Sequence, residues 1–289
     1  MSKSIGRLVP DIYQLMCDRK IDDSTTLEAE ADHFAAECKD IFMSMMAPDK
    51  DRSGNLRMSG IGKPMRQQYN QYHGVPAEEI EGATYIKFFY GHLIEAMIVS
   101  LARASGHSVV DQQKEVKVNG IKGHIDGIVD GVLVDIKSAS SKAFKKFENG
   151  TLYQDDPFGY VAQIKGYAHA LDHQTFGWIA MDKTTGRLTT LLYDSEDKEA
   201  PYAESLAYDI TEHIEEVKEA MGKPEAPPKC YDDVPAGKSG NRKLAMGCAF
   251  CQFKHHCWED LRAFQYSNYT EYLTVVSKTP RVMEIPDGF

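Results

Sequence analysis

The sequence predicts a mixed α/β fold, with a helical lead-in, a run of short strands in the middle and helices on either side of them. Three observations predict it. Apolar residues recur at helical spacing before residue 105 and again after residue 158. Between about 113 and 137 they switch to period two and short apolar runs, and Asn119-Gly120 and Asp130-Gly131 stand where hairpin turns would fall.

Taken in order, residues 8–46 carry apolar groups at helical spacing (Ile12, Leu15 and Met16, then Ala35, Phe42 and Met45), and the turn formers of 48–54 close that region. A longer helix is predicted over 84–104, where Phe88, Phe89, Leu93, Ile94, Met97, Ile98 and Leu101 give a broad apolar face and Gly106 supplies the stop. Segments 113–118, 121–129 and 131–137 read as three consecutive antiparallel strands. Residues 158–172 return to helix, 176–182 and 187–193 pair around Thr184-Thr185-Gly186, and about 197–221 is a charged helix. A Pro-rich stretch at 224–228 leads into a cysteine segment in loop-like sequence, and 278–289, without regular pattern, is expected as a loose tail. By composition the chain divides into a helical region (1–82), a mixed core (83–222) and a cysteine segment with tail (223–289).

At 289 residues and 42% hydrophobic side chains, there is apolar material for a real core. The amino end lacks the apolar run of a signal peptide, and no stretch of about 18 apolar residues suggests a bilayer span, so a cytoplasmic protein with no membrane partner is expected. Three of the six cysteines fall within ten residues, which suits metal-binding thiolates in a reducing compartment better than a disulfide scaffold. A net charge of −10 argues against a protein that coats nucleic acid nonspecifically, because phosphate contacts draw on Lys and Arg. It leaves room for an enzyme that gathers carboxylates around divalent ions, which then carry the positive charge to a phosphate.

Such carboxylates are present. Gly123-His124-Ile125-Asp126-Gly127 is followed nine residues after Asp126 by Asp135-Ile136-Lys137. On neighbouring strands of one hairpin Asp126 and Asp135 converge, and Asp135 and Lys137 share a face because side chains repeat every two residues. Two acids and an ammonium at the end of an otherwise apolar strand are costly unless an ion is held there. Mg²⁺ takes oxygen ligands and keeps waters, and a nearby Lys can position such a water and steady charge on a phosphate. Taken alone, D-x-K also fits an ordinary edge-strand ion pair. Glu95 lies in the most apolar part of the preceding helix, and Gln163 and Tyr167, four apart, share one face of the following one.

This order, a helix with Glu, strands with Asp and D-x-K, then a helix with Q-x-x-x-Y, resembles the PD-(D/E)XK nuclease superfamily and specifically its RecB-like branch. The resemblance implies a restriction-endonuclease-like core, a central mixed sheet flanked by helices. It also implies that Glu95, Asp126 and Asp135 ligate Mg²⁺ or Mn²⁺ with help from the Ile136 carbonyl, that Lys137 is the catalytic lysine, and that Gln163 and Tyr167 orient the nucleic acid. Many RecB-like nucleases carry His where Glu95 stands, and Glu there is more similar to phage exonucleases of the lambda type. His92, one turn earlier, reads as a partly buried structural group, with an extra ligand as the alternative. Lys63, Arg66, Lys142, Lys145 and Lys146 are candidate DNA-backbone contacts.

The cysteines form C-x₂-C-x₅-C: Cys248, Cys251 and Cys257. Three thiolates so close repel one another unless a metal neutralises them, and a fourth ligand is expected. Cys230 is the nearest candidate; His255, His256, Cys17 and Cys38 are rivals. Zinc and a [4Fe-4S] cluster both accept four thiolates, so spacing alone does not choose. The run resembles the iron-sulfur staple of CRISPR-associated and helicase-linked RecB-like nucleases, which implies a [4Fe-4S] cluster, with Zn²⁺ as the alternative. In that pattern the fourth cysteine lies upstream, in S-x-x-x-x-C-x-R. Here Ser59 and Arg66 keep the frame but Pro64 holds the cysteine's place, so Cys230 is the expected replacement.

The function these readings imply is a metal-dependent DNA exonuclease acting on ends or single strands in recombination or replication, of phage type and so in a host cytoplasm, with a recombination or helicase partner. The alternatives are a noncatalytic DNA-binding or assembly module organised by the cysteine-bound metal, and a restriction-like endonuclease.

Overall fold

The computed structural model describes residues 3–19, 24–48 and 53–285. Residues 49–52 of the expected turn and 286–289 of the expected tail lie outside them. In chain order the helices are α1 (Leu8–Asp18), α2 (Ser24–Met45), α3 (Met65–Tyr72), α4 (Gly82–Ala104), α5 (Ser141–Glu148), α6 (Tyr160–Leu171), α7 (Ile210–Met221), α8 (Met246–Ala249) and α9 (Lys254–Cys257). The strands are β1 (Val109–Val110), β2 (Glu115–Val118), β3 (Ile121–His124), β4 (Gly127–Val129), β5 (Val132–Ala139), β6 (Thr175–Asp182), β7 (Leu188–Asp194), β8 (Val234–Pro235), β9 (Arg242–Lys243), β10 (Arg262–Gln265), β11 (Thr270–Val275) and β12 (Met283–Ile285).

Two compact units share this chain, each discontinuous in sequence. The first comprises Met1–Lys50, Arg57–Gly62 and Glu81–Glu215; the second comprises Asp51–Leu56, Lys63–Ile80 and Glu216–Phe289. The division expected at 82 and 222 followed composition, whereas the units interleave, and α7 runs from one into the other.

The first unit is built on a mixed sheet in the order β1-β4-β5-β6-β7. Strands β5 and β6 are parallel, which requires a crossover, and α5 and α6 supply it; the other pairs are antiparallel. Helices cover both faces of the two central strands, so β6 and the first half of β5 read as apolar runs, and β5 is broken by Asp135 and Lys137. On one face Val134, Ile136 and Ile179 pack with Ile98, Val99 and Ala102 of α4 and with Leu8 and Ile12 of α1.

Both hairpin turns form where the dipeptides put them. Asn119 and Gly120 have φ of 45° and 86°, and Asp130 and Gly131 have φ of 50° and 86°, the paired left-handed conformation of a tight hairpin. The three strands are not one meander, however. Residues 121–129 split at Ile125-Asp126: β3 pairs with β2 in a separate ribbon, and β4 joins the main sheet beside β5. Asp126 therefore sits at a corner and not inside a strand.

Helix α4 ends as expected, with the His107 and Gly106 N–H groups bonding back to Ala102 and Arg103 and Gly106 at φ 85°. Contrary to the sequence expectation, α4 is long and apolar enough to cross a membrane by length and composition. Here Ala96, Ile98, Val99 and Ala102 are buried and α2 packs along it. The helix expected over 197–221 begins only at Ile210: Pro201 interrupts the earlier stretch, and Asp209 accepts the Thr211 N–H at 2.7 Å as a cap.

The second unit holds an antiparallel sheet in the order β12-β10-β11-β9-β8, with Phe253, Leu261, Phe264 and Leu273 buried. This sheet was not expected. Part of the predicted loose tail is strand β12, whose residues pair with β10, and Arg262 grips Glu284 through two nitrogens at 2.6 and 2.7 Å.

Candidate active site and thiol pocket

The first unit assembles its polar centre at a gap in the sheet. Strand β4 begins at Gly127, opposite Val134, so residues 135–139 of β5 have no strand partner on that edge among the described residues. Asp126, just before β4, fills the gap, and its Oδ2 accepts the Ile136 N–H at 2.6 Å. In a strand the N–H and C=O of one residue point to the same side, so the Ile136 carbonyl also faces this edge.

Asp135 and Lys137 share the opposite face to Val134 and Ile136, as period two requires. Asp135 is 2% exposed, and Lys137 Nζ lies 2.5 Å from its Oδ2. Gln163 of α6 donates to Asp135 Oδ1 at 3.2 Å and contacts Tyr167 OH at 3.3 Å, so the Q-x-x-x-Y face is aimed at this strand. Despite the close ammonium, Asp135 Oδ2 has no hydrogen bond of good geometry and remains a buried acceptor with capacity to spare.

Glu95 of α4 reaches the same neighbourhood. Burial, with the charge of Asp135 adding to it, pushes its carboxyl up to about 7. Burial and the negative charges of Asp135 and Glu95 push Asp126 well above the usual carboxylate range. Burial opposes the Lys137 ammonium, yet Asp135 and Asp126 more than offset it and hold the group charged. Three acids crowded against one lysine leave an excess of negative potential, which a divalent cation relieves.

Among the described residues no three His, Cys, Asp or Glu groups stand in a geometry that closes on one ion. The reason is visible at each acid: Asp126 is taken by a backbone N–H, Asp135 by Lys137 and Gln163, and Glu95 by Gln113, whose Nε2 donates to Oε1 at 2.6 Å. The donor chemistry and the spare Asp135 acceptor fit a hard divalent cation once those partners give way.

Gln113 was missed in the sequence. It lies on a loop where Asp111 and Gln113 both adopt left-handed backbone, φ 55° and 54°, a strain of about 1–3 kcal/mol per residue that tends to mark functional loops. No local pattern announces it. Tyr160 was also missed: Lys137 Nζ sits 4.5 Å from its ring centroid. Its position three residues before Gln163, on the same helix face, was a usable signal.

Other expectations fare differently. His92 of α4 keeps solvent contact, yet burial lowers its imidazole below the usual range, so the group is partly desolvated. Lys142 and Lys145 are exposed on α5, but Lys146 is engaged, its Nζ bonding Asp155 Oδ2 at 2.6 Å and the Asp155 carbonyl at 2.8 Å. Lys63 and Arg66 belong to the second unit, where the Lys63 carbonyl accepts Gln68 Nε2 at 2.7 Å and Arg66 Nη1 donates to the Pro227 carbonyl at 2.7 Å.

In that unit Cys230, Cys248, Cys251 and Cys257 line one pocket together with Pro64, Arg66, Asn70 and Trp258. All four are free thiols. Each meets an N–H group. The backbone N–H groups of Gln67 and Arg66, at the start of α3, bond Cys230; Phe253 N–H bonds Cys251; and Asn70 Nδ2 is 3.8 Å from Cys257 Sγ. The Trp258 indole N–H is near enough to Cys248 to pull its thiol down, although not in good hydrogen-bond geometry. Burial dominates even so, and with the neighbouring cysteines it pushes Cys248 up to about 11. Cys230 thus lies against the first turn of α3, next to Pro64, where the upstream cysteine of the resemblance would start. Four thiols line one pocket with Arg66 and Lys254 beside them. Among the described residues they do not stand in a geometry that closes on one ion, but as donor types they suit a thiophilic metal.

A mixed sheet flanked by helices, with carboxylates and a lysine gathered at the free edge of its central strand, defines a restriction-endonuclease-like fold. The PD-(D/E)XK nuclease superfamily matches the sequence over residues 63–258, more than half of the chain, and the protein belongs to that superfamily. No curated protein matches the sequence. Among solved structures, the alkaline exonuclease LHK-Exo from Laribacter hongkongensis is similar at 15% identity over 59% of this chain and 91% of that one, with a TM-score of 0.40. Its complex with dAMP gives 15% identity, the same coverage and a TM-score of 0.39. SSO0001 gives 13% identity over 77% of this chain and 95% of that one, with a TM-score of 0.43.

Proposed function

We propose that this protein is a Mg²⁺- or Mn²⁺-dependent deoxyribonuclease, an exonuclease that hydrolyses phosphodiester bonds at DNA ends or in single strands during recombination or replication of a phage-type element. The observation that carries the reading is the meeting of Asp126, Asp135 and Lys137 at the unpaired edge of β5. Superfamily membership makes hydrolysis of a nucleic acid the expected reaction, and DNA is the substrate the resemblance implies.

In this reading Glu95, Asp126, Asp135 and the Ile136 carbonyl hold the divalent ion. When bound, that ion supplies positive charge for the phosphate and a polarised water. Lys137, kept protonated by its acidic neighbours, steadies negative charge developing on the phosphate oxygens. Gln163 fixes the Asp135 carboxylate, and Tyr167 fixes Gln163. Burial holds the Tyr167 hydroxyl up at about 12, so it stays a neutral donor for a phosphate oxygen. Cys230, Cys248, Cys251 and Cys257 hold a [4Fe-4S] cluster that secures the second unit, with Zn²⁺ as the alternative occupant of the same thiols.

End-labelled single- and double-stranded DNA incubated with Mn²⁺ tests the enzyme: linear substrate is degraded by the parent and not by Asp135→Ala. Equal degradation by both would remove the assignment and favour a noncatalytic DNA-binding module. Anaerobically prepared protein tests the cofactor. A brown sample with broad visible absorption that bleaches on reduction is expected, whereas a colourless sample with stoichiometric zinc would assign the pocket to zinc.

A further inference from the structure

Phe158 is 52% exposed, on a loop whose backbone is held by hydrogen bonds. Asp156 accepts the Val161 N–H at 2.8 Å and also those of Gly159 and Tyr160, capping α6. Gly159 holds a left-handed φ of 73°, and a Cβ there would fall 2.2 Å from the Gly62 carbonyl carbon, so only glycine fits. The backbone on the C-terminal side of Phe158 is thereby defined.

Behind it runs an aromatic column. Phe158 stacks on Tyr160 with centroids 5.5 Å apart and planes 26° apart; Tyr160 meets Phe147 at 6.5 Å, and Phe147 meets the buried Trp178 at 6.3 Å. The Lys137 ammonium lies over the Tyr160 ring at 4.5 Å and 2.5 Å from Asp135. A line of contacts thus leads from the acid centre through Lys137 and Tyr160 to a flat apolar ring facing solvent. Leaving a large aromatic half exposed forfeits the gain of burying it, unless something flat covers it.

We propose that Phe158, backed by Tyr160, is a stacking platform for an unpaired nucleobase of the DNA strand, adjacent to the phosphate held at Lys137. The proposal rests on the nuclease reading and adds a subsite to it. A phenyl ring carries no hydrogen-bonding groups, so the subsite accepts any base. In duplex DNA both faces of a base are already stacked, so the platform selects single strands or frayed ends. Stacking of this kind is lost on alanine substitution with a fall in affinity of about tenfold to a hundredfold.

The test uses full-length protein in chelator, so that binding is read without cleavage. Dissociation constants are measured for a fluorescein-labelled single-stranded DNA oligonucleotide and for copies with one abasic nucleotide moved stepwise from the end. The parent is expected to lose about tenfold or more in affinity when the abasic nucleotide falls at one position. Phe158→Ala and Phe158→Leu should bind all strands equally and weakly, and Phe158→Trp should restore the discrimination. If the parent ignores abasic substitution, or if Phe158→Leu discriminates as the parent does, the platform is wrong. The nuclease reading fails separately: a parent that hydrolyses no DNA with Mn²⁺ but still discriminates abasic strands retains the platform and loses the catalysis.

Discussion

The acid centre of the first unit and the thiol pocket of the second are both polar sets drawn from distant segments, yet they are stabilised in opposite ways. The acids each have a partner: Lys137 faces Asp135, a backbone N–H takes Asp126, and the neutral amides of Gln113 and Gln163 bond Glu95 and Asp135. The thiols have N–H donors and lie near Arg66 and Lys254, yet burial with mutual proximity keeps Cys248 protonated up to about 11. In the proposed reading both sets take a metal, and the thiols depend on it more, because a cationic centre is what turns buried thiols into thiolates.

Breaking the pocket is therefore expected to have the largest effect. Cys248→Ser or Cys251→Ser should release the cofactor and lower the unfolding temperature by about 10 °C or more, since structural metal binding is worth about 10 kcal/mol or more to folding. Calorimetry and metal analysis read this together. Cys230→Ser should behave the same way, while Cys17→Ser, at an exposed position, should change neither.

Next in size is the acid centre, where the effect should fall on rate and not on folding. Lys137→Ala and Asp135→Ala are expected to lower kcat about 10³-fold with unchanged circular dichroism, because each removes a group that acts on the reacting phosphate or its ion. If either variant instead unfolds like the cysteine variants, the contrast between the two regions is wrong. Asp126→Ala should combine a loss of rate with a loss of about 1–3 kcal/mol of stability, since it leaves the Ile136 N–H without its acceptor. Urea titration separates the two components.

A smaller effect is expected at Gln113. Removing the amide that holds Glu95 should alter Mn²⁺ affinity by about 10-fold to 100-fold, the range found for residues that orient metal ligands. Titration calorimetry on the metal-free protein reads this without any turnover. The smallest effect is at the exposed Lys142 and Lys145, where alanine should reduce the salt dependence of DNA binding by about one unit of slope each and leave kcat alone.

Much of this was legible in the chain because it depends on local chemistry. The Asn-Gly and Asp-Gly turns need left-handed backbone, the D-x-K spacing puts both charges on one face, and Gln163 and Tyr167 share a helix face by periodicity. The sheet β8–β12 was not legible, because its strands are short, half-exposed and broken by Pro and Gly, so no apolar period rises above the loop pattern. Gln113 was invisible for a different reason: its partner Glu95 is eighteen residues away and comes close only when a strained loop folds back on α4.

Spacing along single elements was enough to place the turns, the β5 strand with its two charges, the apolar helix α4 that carries Glu95, and the cluster of three cysteines. Long-range packing was needed for β3 and β4 to part at Asp126 and leave the Ile136 N–H open to a carboxylate, for Cys230 to reach α3 beside Pro64, and for Phe158 to cap an aromatic column beginning at Trp178. These juxtapositions join residues far apart in the chain, and their geometry is set by how the sheet ends and the helices pack, which no local pattern encodes.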